Sequence, residues 1–423
     1  MVRPSLALRL STAAAAIGLA AAALAGPVAA ADPVAAADTP PPGVPADLTA
    51  LPPTPTDYTP GKTPWGDWDF RGTWPIENLP STRILFQRMK GYGDRIWLTP
   101  EEHAKRVANA QRSDESYSAE GQGLNVSGTE GLLDWVKNST YSWRTSMLVS
   151  PQDGQLPPLT PKAEKLYKEG RSGWVPGQDY DWVDDFDSWD RCVSRGFPAS
   201  MFPFRYNNGI RVFQSPGYVV IMLEMLGNRV VPIVTKEQAK SMHWPSDVEA
   251  WMGNSVGYWE GKTLVIETTN IVSGDSATRD VSKRAASPLN MATQHVPPFN
   301  TIPMSKQAKT VEKLTMTGPN AILYEITYSD PEVYTKPWTA QLEWARDDKY
   351  QFFEYACHEG NVQLRNYISA SRAHRADIAA GKEKPETAEE DSRSRFANQF
   401  DFDPVAPGAP SFGPPPSAPS RGE

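Results

Sequence analysis

Ala321-Ile322-Leu323-Tyr324-Glu325-Ile326-Thr327-Tyr328 places Ile322, Tyr324, Ile326 and Tyr328 at every second position. A period of two belongs to a strand with one face on a core. Thr317-Gly318-Pro319-Asn320 supplies a turn before it, and Thr310 to Met316 reads as the preceding strand. Ser329-Asp330-Pro331 breaks the pattern, after which Trp338, Ala340, Leu342 and Trp344 alternate again. Arg346-Asp347-Asp348-Lys349 turns the chain into a further candidate strand, Tyr350 to Cys357.

The same texture extends upstream. Val256 to Trp259 and Lys262 to Thr269 flank Glu260-Gly261 and predict a hairpin. Tyr218 to Met225 is apolar except for Glu224, as in a strand buried on both faces, and Asn228 to Val234 can pair back with it. With the segment after Ile210, about nine strands follow one another through short turns. A mainly β fold is therefore expected, an antiparallel meander closing into an up-and-down, lipocalin-like barrel or folding as a sandwich.

Helical signals lie at the periphery. Thr99-Pro100-Glu101-Glu102 offers an N-cap, a proline at the first helical position and a capping box, predicting a helix to Gln111. Thr160-Pro161 opens a second that stops before Gly170. Around them, Trp65, Trp68, Trp74, Trp97, Pro157 and Pro158 suggest an irregular wrap.

The ends are of a different kind. Arg3 and Arg9 without an acid, an uncharged Ala/Leu-rich stretch from Leu10 to Gly26, and small residues up to Ala31 form the pattern of a signal peptide over 1–31. No cysteine stands near the cleavage site and no Arg-Arg pair precedes the apolar stretch, so general export without a lipid anchor is expected. Residues 32–61 read as a Pro/Ala-rich linker, 62–378 as a single β-rich domain and 379–423 as a disordered Pro-rich tail. The product is expected to be periplasmic or secreted, with no membrane insertion once the signal is cleaved.

The net charge of −8 becomes two units more negative without Arg3 and Arg9. An acidic chain with no basic block is a poor nucleic-acid binder. Two cysteines, Cys192 and Cys357, can pair in an oxidising compartment. Closing so long a loop is worth about 4–5 kcal/mol on the chain-entropy model. Two buried thiols or a nucleophilic cysteine are the alternatives.

Several blocks carry a resemblance: Asp190-Arg191-Cys192-Val193-Ser194-Arg195-Gly196-Phe197-Pro198, Tyr206-Asn207-Asn208, Gln214-Ser215-Pro216-Gly217-Tyr218-Val219-Val220-Ile221, Trp251-Met252-Gly253-Asn254-Ser255-Val256-Gly257-Tyr258-Trp259-Glu260-Gly261 and Glu354-Tyr355-Ala356-Cys357-His358-Glu359-Gly360-Asn361. Over roughly 70–375 the chain resembles a widespread group of exported, uncharacterised bacterial proteins. The resemblance implies no particular activity. Many members have His where this chain has Gly227, so no role of that imidazole carries over.

No G-x-S-x-G elbow, H-E-x-x-H, P-loop, Rossmann glycine set or C-x-x-C occurs, and the five histidines, among them His103 on a predicted exposed helix, do not suggest a metal site. No cofactor is expected. His358-Glu359 is the first candidate pair for acid–base work, if a turn at Gly360-Asn361 brings both to one pocket. Glu224 is the second, a candidate general acid unless it pairs with Arg229 or Arg211. Tyr206 completes the catalytic set. Arg205, Asn207 and Asn208 form a loop suited equally to ligand binding and to turn chemistry. Among 14 tryptophans, Trp251, Trp259 and Trp338 are candidate pocket aromatics, although core packing explains them as well. Mid-strand Glu267, Glu325, Glu343 and Glu354 line a polar cavity if they face inward.

Three functions follow: a cofactor-independent enzyme hydrolysing, eliminating or isomerising an apolar or aromatic small molecule; a non-catalytic carrier of a hydrophobic ligand; and a structural or interaction protein.

Overall fold

The aromatic alternation that marks the strand at Ile322 fills the centre of the molecule. The computed structural model describes residues 43–76, 84–108, 142–170, 178–203, 207, 209–275, 287–289 and 302–385. Ten strands occur among them: β1 (Gly72–Thr73), β2 (Leu148–Ser150), β3 (Ile210–Ser215), β4 (Tyr218–Leu223), β5 (Asn228–Pro232), β6 (Asn254–Glu260), β7 (Thr263–Thr269), β8 (Lys309–Gly318), β9 (Ala321–Ser329) and β10 (Trp338–Ala345). The helices of α type are α1 (Pro161–Lys168), α2 (Lys236–Ala239), α3 (Cys357–Gly360) and α4 (Gln363–Ala379), and residues 100–108 are helical too.

The strands form two antiparallel sheets. One has four strands in the order β1-β3-β4-β5, the other six in the order β2-β10-β9-β8-β7-β6. Eight expected strands are present. The ninth, Tyr350 to Cys357, does not form: Tyr350 and Phe353 instead bond to Glu224. The irregular front supplies β1 and β2, which lie on the sheet edges. The β6–β7 hairpin turns one position later than expected. Glu260 pairs with Thr263, so Gly261-Lys262 is the loop, and Gly261 takes the positive φ of 61° that a two-residue turn needs at its first position.

The sheets share one core. Ile322, Tyr324, Ile326 and Tyr328 are each fully buried, as are Trp338 and Trp344. Trp338 stacks on Tyr328 with centroids 5.1 Å apart, and Trp344 on Tyr324 at 4.6 Å. Val212, Val219, Ile221 and Val231 of the four-stranded sheet join the same cluster. Two seams connect the edges. Ile233, just past the end of β5, makes a single parallel bridge to Gly257, where a β-carbon would stand 2.8 Å from the tip of the Ile233 side chain and 3.0 Å from that of Val231, so glycine favours the close approach. At the other seam the Asp347 N–H donates to the Thr73 carbonyl at 2.9 Å. Pairing at the first seam stops because Thr235 and Gln238 cap each other and start α2. The expected closed barrel is therefore not found among the described residues.

A charged cluster crosses the shared core. Arg229 on β5 donates to both carboxylate oxygens of Glu312 on β8, at 2.8 and 2.5 Å, and both side chains are essentially sealed from solvent. Ser255 and Thr268 accept from the same guanidinium at 3.0 and 3.1 Å. The Tyr324 hydroxyl donates to Glu312 at 2.7 Å, and the guanidinium lies 4.6 Å from the Phe197 ring. Burial alone pulls the guanidinium's pKa down; the charge and hydrogen bonds of Glu312 outweigh it and leave it raised. Burial and then the Glu312 charge raise the Tyr324 hydroxyl.

The periphery largely follows the sequence. Thr99 and Glu102 make the reciprocal capping box at 2.9 and 3.2 Å, while the helix end expected at Gln111 lies outside the described residues. His103 is not exposed: it is 6 % accessible and stacks on Trp143 at 3.9 Å. The expected linker is held over part of its length, through Trp97 Nε1 on the Ala50 carbonyl and Gln152 on that of Thr49. The signal peptide and the tail from 386 lie outside the described residues, among which no helix is long and apolar enough to cross a membrane.

Arg229→Leu should lower the unfolding free energy by about 3–5 kcal/mol in a urea titration, because it strands a buried carboxylate. Adding Glu312→Leu should restore much of that loss.

Candidate functional site

The chemistry-bearing motifs converge on the end of the four-stranded sheet where β4 leaves for β5. Cys192 and Cys357 form a disulfide there, with α-carbons 5.7 Å apart. It ties α3 to the loop after Trp189. Cys192 has a φ of 60°, in the left-handed region. Asn361 closes the corner by donating to the Asp190 carbonyl at 2.7 Å and the Cys192 sulfur at 3.3 Å. Trp189, Met225, Leu226 and Tyr355 pack beside it.

Glu224 follows the last residue of β4 and is 7 % accessible. Its Oε1 accepts from Asn207 Nδ2 at 3.2 Å and the Phe353 N–H at 2.8 Å. Its Oε2 accepts from the Gly209 N–H at 2.9 Å and the Tyr350 hydroxyl at 2.6 Å. Four donors from two chain segments engage one carboxylate. Glu224 thus ties the 207–209 loop and the 350–353 segment to the sheet, and neither Arg229 nor Arg211 is its partner. Arg229 binds Glu312, and Arg211 lies 4.4 Å from the Phe352 ring.

His358 and Glu359 are side by side on α3, a single turn of helix, and both are exposed. The turn anticipated at Gly360-Asn361 is α3 itself, and it presents the pair to solvent rather than to a pocket shared with Glu224. Asn207, at a φ of 50°, combines turn chemistry with its bond to Glu224. Arg205, Tyr206 and Asn208 lie outside the described residues.

The aromatic candidates belong to the packing. Trp338 is completely buried among Phe86, Phe202 and Tyr328 and is a core residue, not a pocket wall. Trp251 and Trp259 are half-buried against the same core, with Trp259 5.4 Å from Phe70. Glu267, Glu325 and Glu343 do not line a cavity within that core. Glu267 pairs with Lys309 and accepts from Tyr258 at 3.0 Å, and burial together with Glu267 pushes that hydroxyl up to about 12. Glu325 accepts from Gln341 at 2.7 Å. Burial raises Glu343 against the opposing charge of Arg144. Glu354 is exposed. The mid-strand glutamate that does enter the core is Glu312, which shares alternation with Thr310 and Leu314 on β8; that pattern was its only signal.

One surface departs from the sequence expectation in an informative way. Tyr218 to Met225 reads as buried on both faces, but β4 buries only Val219, Ile221 and Leu223. On the other side Phe213, Val220 and Val230 stand in register across β3, β4 and β5. Phe213 is 46 % accessible, Tyr218 49 % and Val230 61 %. Met222, also exposed, extends the same face. Apolar residues line a sheet face that nothing described here covers.

Comparison with protein-family models, with curated proteins and with solved structures returns no match. Among the described residues no group of three or more His, Cys, Asp or Glu is placed to hold a metal ion.

Replacing both cysteines by serine should lower stability by about 2–4 kcal/mol. Glu224→Ala should cost about 1–3 kcal/mol by leaving buried donors unpaired, and should speed amide exchange selectively at Gly209 and Phe353. Unchanged exchange there would remove its anchoring role.

Proposed function

We propose that the protein is an exported, non-catalytic interaction module that docks a partner protein through the outer face of β3, β4 and β5. The observation that carries this reading is the apolar row Phe213–Val220–Val230, flanked by Tyr218 and Met222. Contiguous exposed apolar surface on a folded protein marks a binding site more often than isolated exposed residues do. The sequence pattern supports it independently: a run without polar alternation suits a strand covered on both sides. The chemistry expected of the partner is apolar and uncharged, because the one cation on this face, Arg211, is stacked on Phe352.

The competing functions have less support. The acid–base reading needs His358 and Glu224 to flank one substrate, whereas His358 is exposed and Glu224 already has four donors. The carrier reading needs a hollow interior, whereas the shared core is filled by Trp338, Trp344, Tyr324 and Tyr328. The architecture that goes with the proposal is a barrel interrupted at two seams, Ile233–Gly257 and Thr73–Asp347, rather than a lipocalin-like container.

The folded protein should bind the apolar dye ANS, and Val230→Lys with Phe213→Ser should abolish that binding without shifting the thermal midpoint by more than a few degrees. Equal dye binding by the variant would defeat the proposal. Sedimentation should give a monomer; a dimer dissolved by the same substitutions would assign the face to a second copy instead.

A further inference from the structure

The other sheet carries an outward feature of opposite character. A cleft of about 220 Å³ opens between the outer face of the six-stranded sheet and the chain segment that crosses it near Thr54 and Thr56. Its floor is a row in register across three strands, Thr263 on β7, Thr315 on β8 and Leu323 on β9. Lys313 and Glu325 form the neighbouring row, and Glu260 closes the end near the hairpin.

The wall is held in place, so the cleft exists before any ligand arrives. Lys262 Nζ donates to Thr59 Oγ1 at 3.2 Å, and Trp68 Nε1 to the Gly261 carbonyl at 2.7 Å. Upstream, Trp97 holds Ala50 at 2.8 Å. Pro52, Pro53 and Pro55 restrict the backbone between these anchors.

We propose that this cleft binds one neutral pyranose unit, free or at the end of a glycan. Three observations select that chemistry. First, the charges are already compensated: Lys236 pairs with Glu260, and Lys313 lies 3.4 Å from Glu325. A ligand needs to bring no charge of its own. Second, hydrogen-bonding capacity remains. Thr263 and Thr315 bond to each other at 2.8 Å, but Thr54, Thr56 and the second oxygen of Glu260 make no hydrogen bond among the described residues. Threonine hydroxyls both donate and accept, and carboxylates accept, which matches the hydroxyls of a sugar ring. Third, the volume is below the roughly 300–1,000 Å³ of sites for drug-sized ligands, so it suits one ring. Leu323, the one apolar residue in the lining, gives the C–H face of that ring a contact.

This inference stands apart from the apolar face, which lies on the other sheet. It is tested by amide chemical-shift titration of the labelled protein with methyl pyranosides of glucose, galactose, mannose and N-acetylglucosamine, with glycine and betaine as zwitterionic controls. At least one glycoside should give saturable shifts centred on Thr56, Thr315 and Glu325. Thr54→Val with Thr56→Val should weaken it about tenfold. Lys313→Gln provides a second variant on a different strand and should also weaken binding. Val230→Lys on the opposite sheet should leave the affinity unchanged. The proposal is overturned if no glycoside saturates, if the zwitterions bind as tightly, or if both cleft variants, folded by their spectra, bind like the parent.

Discussion

The pairing of Arg229 with Glu312 is the interaction to which the rest of the structure is fitted. It joins β5, the edge strand of one sheet, to β8, an inner strand of the other, inside a core that is otherwise aromatic and aliphatic. A charge in such surroundings is tolerable only with its counter-charge and further hydrogen bonds. Ser255, Thr268 and Tyr324 supply them from β6, β7 and β9. Any slip of one sheet over the other by a residue would separate the ions and point a charge into the packing. The pair therefore fixes register between the sheets more sharply than apolar contacts would, because dispersion contacts tolerate sliding and a bidentate ion pair does not.

With the inner faces committed to each other, the outer faces are free to differ. That of β3 to β5 is apolar; that of β7 to β9 is threonine-rich and charge-balanced. Both are carried on regular strands, which position side chains more rigidly than loops do. The disulfide and Glu224 act at the end of the four-stranded sheet, where the chain is least regular. They hold the 350–361 segment that the strand pattern alone leaves without partners, and so stabilise the edge of the apolar face through Phe352 and Arg211. This corner contains the most motif-like residues in the chain, yet its geometry is that of a clasp. Motifs with Cys, His, Glu and Asn in close sequence serve folding as readily as catalysis.

Much of this was legible in the residues. The β9 and β10 alternation, the capping box at Thr99 and the N-cap at Thr160 rest on local rules and appear where those rules put them, and the β6–β7 hairpin forms with its turn one position later. The Cys192–Cys357 bond followed from cysteine number and an expected oxidising compartment. The departures are equally specific. His103 has the pattern of a surface helix but stacks on a tryptophan 40 positions away in the sequence. Glu224 has four donors, two of them main-chain N–H groups, which no side-chain pattern reveals.

By itself the sequence determined the β class, most strand boundaries, the peripheral helices and the identity of the cysteine pair, because periodicity, capping and turn chemistry act over a few residues. Only the tertiary structure decided that the strands part into two sheets instead of closing one ring. It also decided that Arg229 meets Glu312 and not Glu224, that Trp338 is core, and that β4 leaves one apolar face open. Each of these depends on which distant segments pack together: Gly257 under Ile233, Asp347 on Thr73, Phe353 on Glu224. Such contacts are set by the shape of the whole chain once its strands are placed, and that shape is not written in any local run of residues.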